Sequence, residues 1–340
     1  MRLGPEISKL LSHVRETNIR ACIIGFLKYG VGDFIRIEAS SICQLKCPLC
    51  YPAHGELGIA GRGYLRFNDF KNFVDNYPHF KRIELSNNGE IFLNPELEEI
   101  IRYAYCKHIR LMANNGVNLN TVSETVLESL VKYRFKDLTI SIDGVTNDTY
   151  TIYRKGGNFN TVLENIKRIN YYKQIYQIPF PKLRWQFVVF GHNEHELPTA
   201  RRMAKELNMD FKATLNWNES YSPVRNKDLV RKEIGFASKH EYQQKYKMLY
   251  LRLCEQLWLC PQINWDGKLL GCCVNYWGDF GNIFESNLET CLRSEKYRYA
   301  RKMILGLKKE REDIPCSRCG RYKIMKTTNR YLLPFVTPYY

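Results

Sequence analysis

The stretch Phe34-Ile35-Arg36-Ile37-Glu38-Ala39-Ser40-Ser41-Ile42-Cys43-Gln44-Leu45-Lys46-Cys47-Pro48-Leu49-Cys50 decides the fold of this chain. Its opening residues alternate, with Ile35 and Ile37 on one face, and read as a strand over Phe34–Ala39. A C-x3-C-x2-C spacing follows at once in Cys43, Cys47 and Cys50. Three thiolates on one short loop can hold three corners of a 4Fe-4S cluster, which takes four cysteines when closed. The missing fourth ligand leaves one iron open, and an open metal position is where a substrate or cofactor binds. Tetrahedral zinc is the competing reading, with His54 as the residue able to complete it.

Outward from this loop the chain alternates. Arg82–Leu85, Ile109–Ala113, Asp137–Ile142, Leu183–Phe190 and Asp210–Leu215 read as further strands. Helical patterns separate them: Phe67–Tyr77 opened near Asn68, Pro95–Tyr105 with proline in its first turn, Val122–Tyr133, Thr161–Tyr172 and Glu196–Leu207. Six strands alternating with helices imply a parallel sheet, because each parallel pair needs a crossover. Active groups in such sheets sit on loops at the C-terminal strand ends. Five segments result: residues 1–33, an amphipathic helical stretch ending at Gly30 and Gly32; residues 34–216, the alternating core; residues 217–250, a polar, basic connector; residues 251–320, a cysteine-rich unit; and residues 321–340, a tail.

The 340 residues suffice for one large domain and a small one, and 44% hydrophobic with 13% aromatic content excludes a disordered chain. No stretch approaches the roughly 20 apolar residues of a membrane span. The N-terminus has no secretory pattern, so a cytoplasmic protein is expected. Lysine and arginine outnumber aspartate and glutamate by 51 to 35, a net charge of +16 that suits an anionic partner. Twelve cysteines in such a compartment point to metal or redox chemistry rather than disulfides. Cys22, Cys106 and Cys291 stand apart and read as buried structural thiols. Gly58–Gly63 is glycine-rich but joins no strand to a helix, and His192/His195 lack the order of zinc proteases; both read as loops.

The three-cysteine loop after the first strand resembles the radical S-adenosylmethionine (SAM) superfamily. That resemblance implies an α/β fold, a partial (β/α)6 barrel, with SAM's methionine chelating the open iron. It further implies reductive cleavage of SAM to a 5′-deoxyadenosyl radical that abstracts hydrogen from a substrate C–H bond. Ser86-Asn87-Asn88-Gly89-Glu90 is similar to the family's GGE element, which places Asn88, Gly89 and Glu90 near the methionine amine. Asn114-Asn115-Gly116 looks like a Thr-Asn-Gly element, implicating Asn115. Ser141-Ile142-Asp143-Gly144 resembles a Ser-x-Asp-Gly element whose serine reaches the ribose. Arg154 corresponds to an arginine near the SAM carboxylate, and Gln186 on the fifth strand is expected to face the site. The chain departs from relatives at Gln44, at Leu49 and at Asn88, where asparagine, an aromatic and glycine are common.

Cys254, Gly267 and Cys272 fit C-x12-G-x4-C, and Cys316-Ser317-Arg318-Cys319 adds a C-x2-C. This resembles the shortened SPASM, or twitch, unit that holds one auxiliary 4Fe-4S cluster, with Cys254, Cys272, Cys316 and Cys319 as ligands and Cys260 and Cys273 as alternates. Structural zinc on the same thiolates is the competing reading. A thiol left out of the ligand set, Cys260 or Cys273, could return hydrogen to a substrate radical. The implied enzyme oxidises or epimerises a small anionic metabolite, sugar- or nucleotide-linked, and draws electrons from a flavodoxin or ferredoxin. A peptide- or protein-modifying maturase is the alternative substrate class. A zinc protein binding nucleic acid is the alternative of another kind, and peripheral contact of the N-terminal segment and tail with a membrane is a further one.

Overall fold

The computed structural model describes residues 30–246, 250, 254–329 and 331–332. Cys22 and most of the N-terminal helical stretch lie outside the described residues, as does the tail beyond Leu332. Strands β1 (Phe34–Ile37), β2 (Arg82–Glu84), β3 (Arg110–Val117), β4 (Asp137–Ser141), β5 (Lys182–Val189) and β6 (Asp210–Leu215) alternate with helices as the periodicity predicts. The crossovers are α1 (Phe67–Asn76), α2 (Leu97–Cys106), α3 (Glu124–Lys132), α4 (Asn147–Tyr153), α5 (Phe159–Tyr176) and α6 (Leu197–Glu206). All neighbours are parallel in the order β6-β5-β4-β3-β2-β1-β7, an unclosed sheet that forms a partial barrel.

One face of each strand is apolar and packs under the helices. Ile35, Ile37, Leu111, Ala113, Leu138, Ile140, Trp185 and Phe187 are buried in that core. Each fully buried aliphatic or aromatic side chain contributes about 1.5–3 kcal/mol, which fixes the register. The alternate residues therefore turn to the other face, which is polar: Arg36 on β1 with Glu38 just beyond its end, Glu84 on β2, Asn114 on β3, Thr139 and Ser141 on β4, Gln186 on β5.

The helix starts differ locally from the periodic reading. α1 begins at Phe67, with Arg66 as N-cap, because the Glu96 carboxylate accepts from the Phe67 N–H. Pro95 precedes α2 rather than opening it. α4 is an extra helix, capped by the Thr146 hydroxyl on the Thr149 N–H at 3.2 Å.

The seventh strand comes from the cysteine-rich segment. β7 (Gln262–Ile263) lies parallel to β1, with Arg36 opposite Gln262 and Ile37 opposite Ile263. The chain then reverses at Asp266-Gly267, where glycine adopts φ 87°, and Leu269 bridges back to Ile263. Helices α7 (Lys227–Ile234) and α8 (Lys239–Tyr246) lie in the connector, and α9 (Gln256–Leu259), α10 (Leu288–Arg293), α11 (Glu295–Ile304) and α12 (Gly320–Thr327) complete the described chain. No helix among the described residues is long and apolar enough to cross a membrane.

Candidate functional site

Cys43, Cys47 and Cys50 emerge from the C-terminal end of β1 into a small apolar cluster of their own. Leu45, Cys47, Tyr153 and Phe190 are buried there, with Cys43, Leu49, Cys50, Val188 and Tyr221 packed against them. Burial pushes all three thiols up, Cys43 to about 12; Cys43 and Cys50 also lie in the field of Cys47, and Cys47 in that of Arg154 and Asp143. Three buried thiols on one loop in an apolar cluster suit a metal cluster by their chemistry, since coordination removes the protons that burial otherwise retains. His54 does not join them; its Nε2 lies 3.0 Å from the Pro48 carbonyl on the exposed side of the loop.

The strand-end residues gather around this loop. Gly89 packs so closely that a Cβ there would stand 2.3 Å from the Ser40 carbonyl oxygen, and Glu90 N donates to Ile42 O at 2.8 Å. The Asn88 N–H donates to Glu38 Oε2 at 2.9 Å. Both oxygens of Glu90 are engaged by backbone donors, Asn118 N at 2.5 Å and Phe92 N at 3.3 Å, and burial raises its carboxyl to about 7. Asn115 is held by Ser86 Oγ and Asn87 Oδ1, which accept its N–H and Nδ2. The pairing of β3 and β4 is interrupted between Ala113 and Val117, and Gly116 takes φ 113° there. A side chain at Gly116 would collide with Ser141 Oγ at 2.2 Å, and Gln186 Nε2 lies just beyond at 3.8 Å. Asn115, Ser141 and Gln186 thus flank one gap. Arg154 lies behind the cysteines, with Nε 2.6 Å from Asp143 Oδ2 and Nη1 3.8 Å from Cys47 Sγ.

A cavity of about 210 Å³ opens beside this group, at the C-terminal ends of β5 and β6. Val189, Leu215, Asn216 and Tyr221 line it. Tyr221 meets Phe190 edge-on, with ring centroids 5.8 Å apart, so the cavity adjoins the apolar cluster that holds the cysteines.

In the second cysteine group, Cys254 lies in the field of Cys316 and Cys319, Cys272 in that of Cys273 first and then of Cys254 and Cys319, and Cys316 in that of Cys272 and Cys319. Burial pushes Cys254, Cys272 and Cys316 upwards, again a donor set that suits a metal more than four separate thiols. Cys260 and Cys273 lie beside the buried Arg36 guanidinium, and Cys273 also borders Cys272. Arg36 Nε donates to Gln262 Oε1 at 2.9 Å and Nη2 to Ser86 O at 3.3 Å. The Gln256 amide grips Cys273 at two points, Nε2 to Sγ at 3.4 Å and Oε1 from the backbone N–H at 2.8 Å. Cys291 is buried as expected, whereas Cys106, at the last position of α2, is exposed because its face of the helix turns from the sheet.

Several contributors were not apparent from the sequence. Asn118 reaches Cys43 Sγ at 3.7 Å, Trp265 Nε1 donates to Ala60 O at 2.8 Å, and Gly58 lies so near Tyr276 O that a Cβ would be 2.0 Å away. Glu38 was signalled, since a carboxylate inside an apolar strand must be buried with partners.

Comparison with known proteins follows this geometry. Residues 37–178 match the Radical SAM superfamily, and residues 254–320 match SPASM, an iron-sulfur cluster-binding domain. The GTP 3',8-cyclase of Listeria monocytogenes is 23% identical over 210 residues, covering 58% of this chain and 61% of the cyclase. The match thus spans about three fifths of that relative's length. The tungsten-containing aldehyde ferredoxin oxidoreductase cofactor-modifying protein of Pyrococcus furiosus is 21% identical over 299 residues, 79% of this chain and 83% of the relative. Streptococcus suis SuiB bound to S-adenosylmethionine superposes with a TM-score of 0.62 at 15% identity, covering 90% of this chain and 76% of SuiB, which establishes likeness of fold. The chain is an iron–sulfur enzyme that belongs to the radical SAM superfamily, with a C-terminal SPASM domain and with 4Fe-4S clusters and S-adenosylmethionine as its cofactors.

Proposed function

We propose that this enzyme epimerises a small anionic metabolite, sugar- or nucleotide-linked, by hydrogen abstraction followed by hydrogen return from a cysteine thiol. The observation carrying the reading is the placement of Cys260 and Cys273 beside Arg36 on the polar face of the sheet, with Cys273 between Arg36 and Cys272 and held by Gln256. Bound at Cys43, Cys47 and Cys50, the cluster and SAM supply the 5′-deoxyadenosyl radical that removes hydrogen from an unactivated carbon.

The chain's own residues position and shield. Asn88 and Gly89 bring backbone to the methionine end, with Glu90 bracing their loop from behind; Asn115, Ser141 and Gln186 border the ribose. The cavity under Val189, Leu215 and Tyr221 receives the adenine. Cys254, Cys272, Cys316 and Cys319 hold the auxiliary cluster. Cys273, oriented by Gln256, holds a hydrogen atom at Sγ, with Cys260 as its alternate. On return, the S–H bond breaks and a C–H bond forms on the opposite face of the substrate carbon. The sulfur radical left behind takes one electron and one proton, the electron coming from a flavodoxin- or ferredoxin-type carrier.

Arg36 and the net charge of +16 support an anionic substrate. A peptide substrate is the second reading, favoured by the fold likeness to SuiB bound to its precursor peptide SuiA, with a TM-score of 0.57 at 14% identity. Two-electron oxidation is the competing outcome.

The test has two parts. After anaerobic reconstitution, wild type should hold about eight irons, and a Cys43/Cys47/Cys50→Ala variant about four, with 5′-deoxyadenosine formed only by wild type. Sugar phosphates, nucleotide sugars and peptides are then turned over in deuterated water. Epimerisation places one solvent deuterium on the product carbon, lost in the Cys260→Ala/Cys273→Ala variant. A product two hydrogens lighter with no deuterium would replace epimerisation by oxidation.

A further inference from the structure

The side chains behind the SAM-site cysteines are arranged to act on the sulfurs themselves. Arg154 is fixed at both ends of its guanidinium: Nε bonds Asp143 Oδ2 at 2.6 Å, and Nη1 points at Cys47 Sγ from 3.8 Å. Asp143 has no exposed surface, and its other oxygen accepts the Val188 N–H at 2.7 Å, so the carboxylate cannot swing away. The guanidinium also lies over the Tyr153 ring, 5.3 Å from its centroid. On the other side of the loop, Asn118 Nδ2 lies 3.7 Å from Cys43 Sγ, its amide oriented by the Asn120 N–H at 2.9 Å. Among the described residues no side-chain N–H stands within hydrogen-bond range of Cys254, Cys272, Cys316 or Cys319. The Arg321 guanidinium lies in the field of Cys254 and Cys319, so the two cysteine groups differ in hydrogen bonding to sulfur, not in having a cation nearby.

The reduction potential of an iron–sulfur cluster depends on its net charge, its exposure and the hydrogen bonds to its sulfurs. Reduction adds negative charge to the cluster. A cation held against a ligating sulfur in an apolar pocket stabilises that charge more than it would in water. We infer that Arg154, locked by Asp143 onto Cys47, raises the reduction potential of the SAM-site cluster and brings it within reach of a mild electron carrier, with Asn118 on Cys43 adding a smaller increment. This gives Arg154 a positioning and tuning role distinct from binding the SAM carboxylate. It rests on Cys43, Cys47 and Cys50 ligating that cluster.

The experiment is a redox titration of the anaerobically reconstituted enzyme without SAM, each cluster followed by its electron paramagnetic resonance signal. The auxiliary cluster in the same molecule is the internal reference. Arg154→Gln should make the SAM-site cluster at least tenfold harder to reduce, about 59 mV for a one-electron couple, and leave the auxiliary cluster unmoved. Arg154→Lys, which keeps the charge, should recover most of the shift, and Asn118→Ala should show a smaller shift of the same sign. Because Arg154→Gln strands the buried Asp143, Asp143→Asn/Arg154→Gln is titrated beside it and should reproduce the shift. An unmoved SAM-site potential in these variants, with iron content intact, overturns the inference, including where SAM affinity falls, since that outcome assigns Arg154 to the carboxylate alone. A Cys43/Cys47/Cys50→Ala variant that keeps every cluster signal of wild type defeats the ligand assignment instead, so the two failures are told apart.

Discussion

Gly89→Ala tests the way two strand ends are welded at the SAM site. The added Cβ would meet the Ser40 carbonyl oxygen at 2.3 Å and both Ile42 N and O at 2.7 Å, all backbone atoms. To reach the 3.0 Å below which real Cβ contacts are essentially never seen, the loops must part by about 0.7 Å. Side-chain relaxation cannot absorb this. Overpacking of this kind costs about 1–3 kcal/mol. The movement strains the Glu90 N to Ile42 O bond at 2.8 Å and the Asn88 N to Glu38 bond at 2.9 Å, and losing one leaves a buried donor unsatisfied for about 1–3 kcal/mol more. The expected loss is therefore about 2–6 kcal/mol, less than the stability of most domains of about 5–15 kcal/mol, so the variant should fold. Urea unfolding of the iron-loaded protein, with SAM affinity by equilibrium dialysis, is the assay. Gly320→Ala is the control, because a Cβ there meets nothing within 4 Å. If Gly89→Ala matched Gly320→Ala in both stability and SAM affinity, the close approach would have no functional weight.

Single alanine replacements of Cys254, Cys272, Cys316 or Cys319 should each lower iron from about eight to about four, while Cys260→Ala and Cys273→Ala keep the full count; iron loss in either of the last two would redraw the ligand set. Burial raises the Glu38 carboxyl to about 8 from an ordinary 4.5, so the folded state binds the proton more tightly than the unfolded chain. Stability should therefore fall as pH rises between about 4.5 and about 8, and Glu38→Gln should flatten urea midpoints across that window; equal slopes for variant and wild type would refute the assignment. The Asp33–Arg82 pair is buried, at 2.7 Å with side chains 1% and 5% exposed, so Asp33→Ala should cost about 3–5 kcal/mol by removing a buried carboxylate from the Arg82 guanidinium, and a loss under about 1 kcal/mol in urea denaturation would count against it.

What the sequence made legible follows from locality. Each strand carries its own period-two signal, and residues such as Leu138/Ile140 and Trp185/Phe187 announce which face is covered. Cysteine spacing is equally local, so the SAM loop could be read from eight residues. The auxiliary group could not be ordered in the same way. Cys260, Cys272 and Cys273 all have plausible spacing, and what tells them apart is non-local: Gln256 holds Cys273 at two points, a contact no spacing announces. Likewise, two residues of β7 are too few to show a period, and they form a strand only because Arg36 and Ile37 offer them an edge.

The contacts that were illegible are those joining the two cysteine groups. Trp265 reaches back across the chain to Ala60 O and fills the space that Gly63 leaves open, where a Cβ would touch its ring at 2.5 Å. Asn264 Nδ2 donates to the same Ala60 carbonyl at 2.9 Å, and the Ile59 N–H donates to Tyr276 O at 2.9 Å. Tyr51, immediately after Cys50, packs its ring 5.0 Å from that of Tyr276. Asn87, in the loop that ends β2, donates to Cys273 O at 3.0 Å and is itself held by Asn115. Glycines 58 and 63 read only as part of a glycine-rich loop when the sequence alone is considered. They are small because the auxiliary unit's backbone and indole press against them. Neither cysteine group is then an independent module. The C-terminal unit braces the loop that carries Cys43, Cys47 and Cys50, and the same braces set Cys273 at the border between them. A thiol at that border lies next to both the SAM loop and the auxiliary ligands, which is the placement a hydrogen donor requires and which neither motif, read alone, would specify.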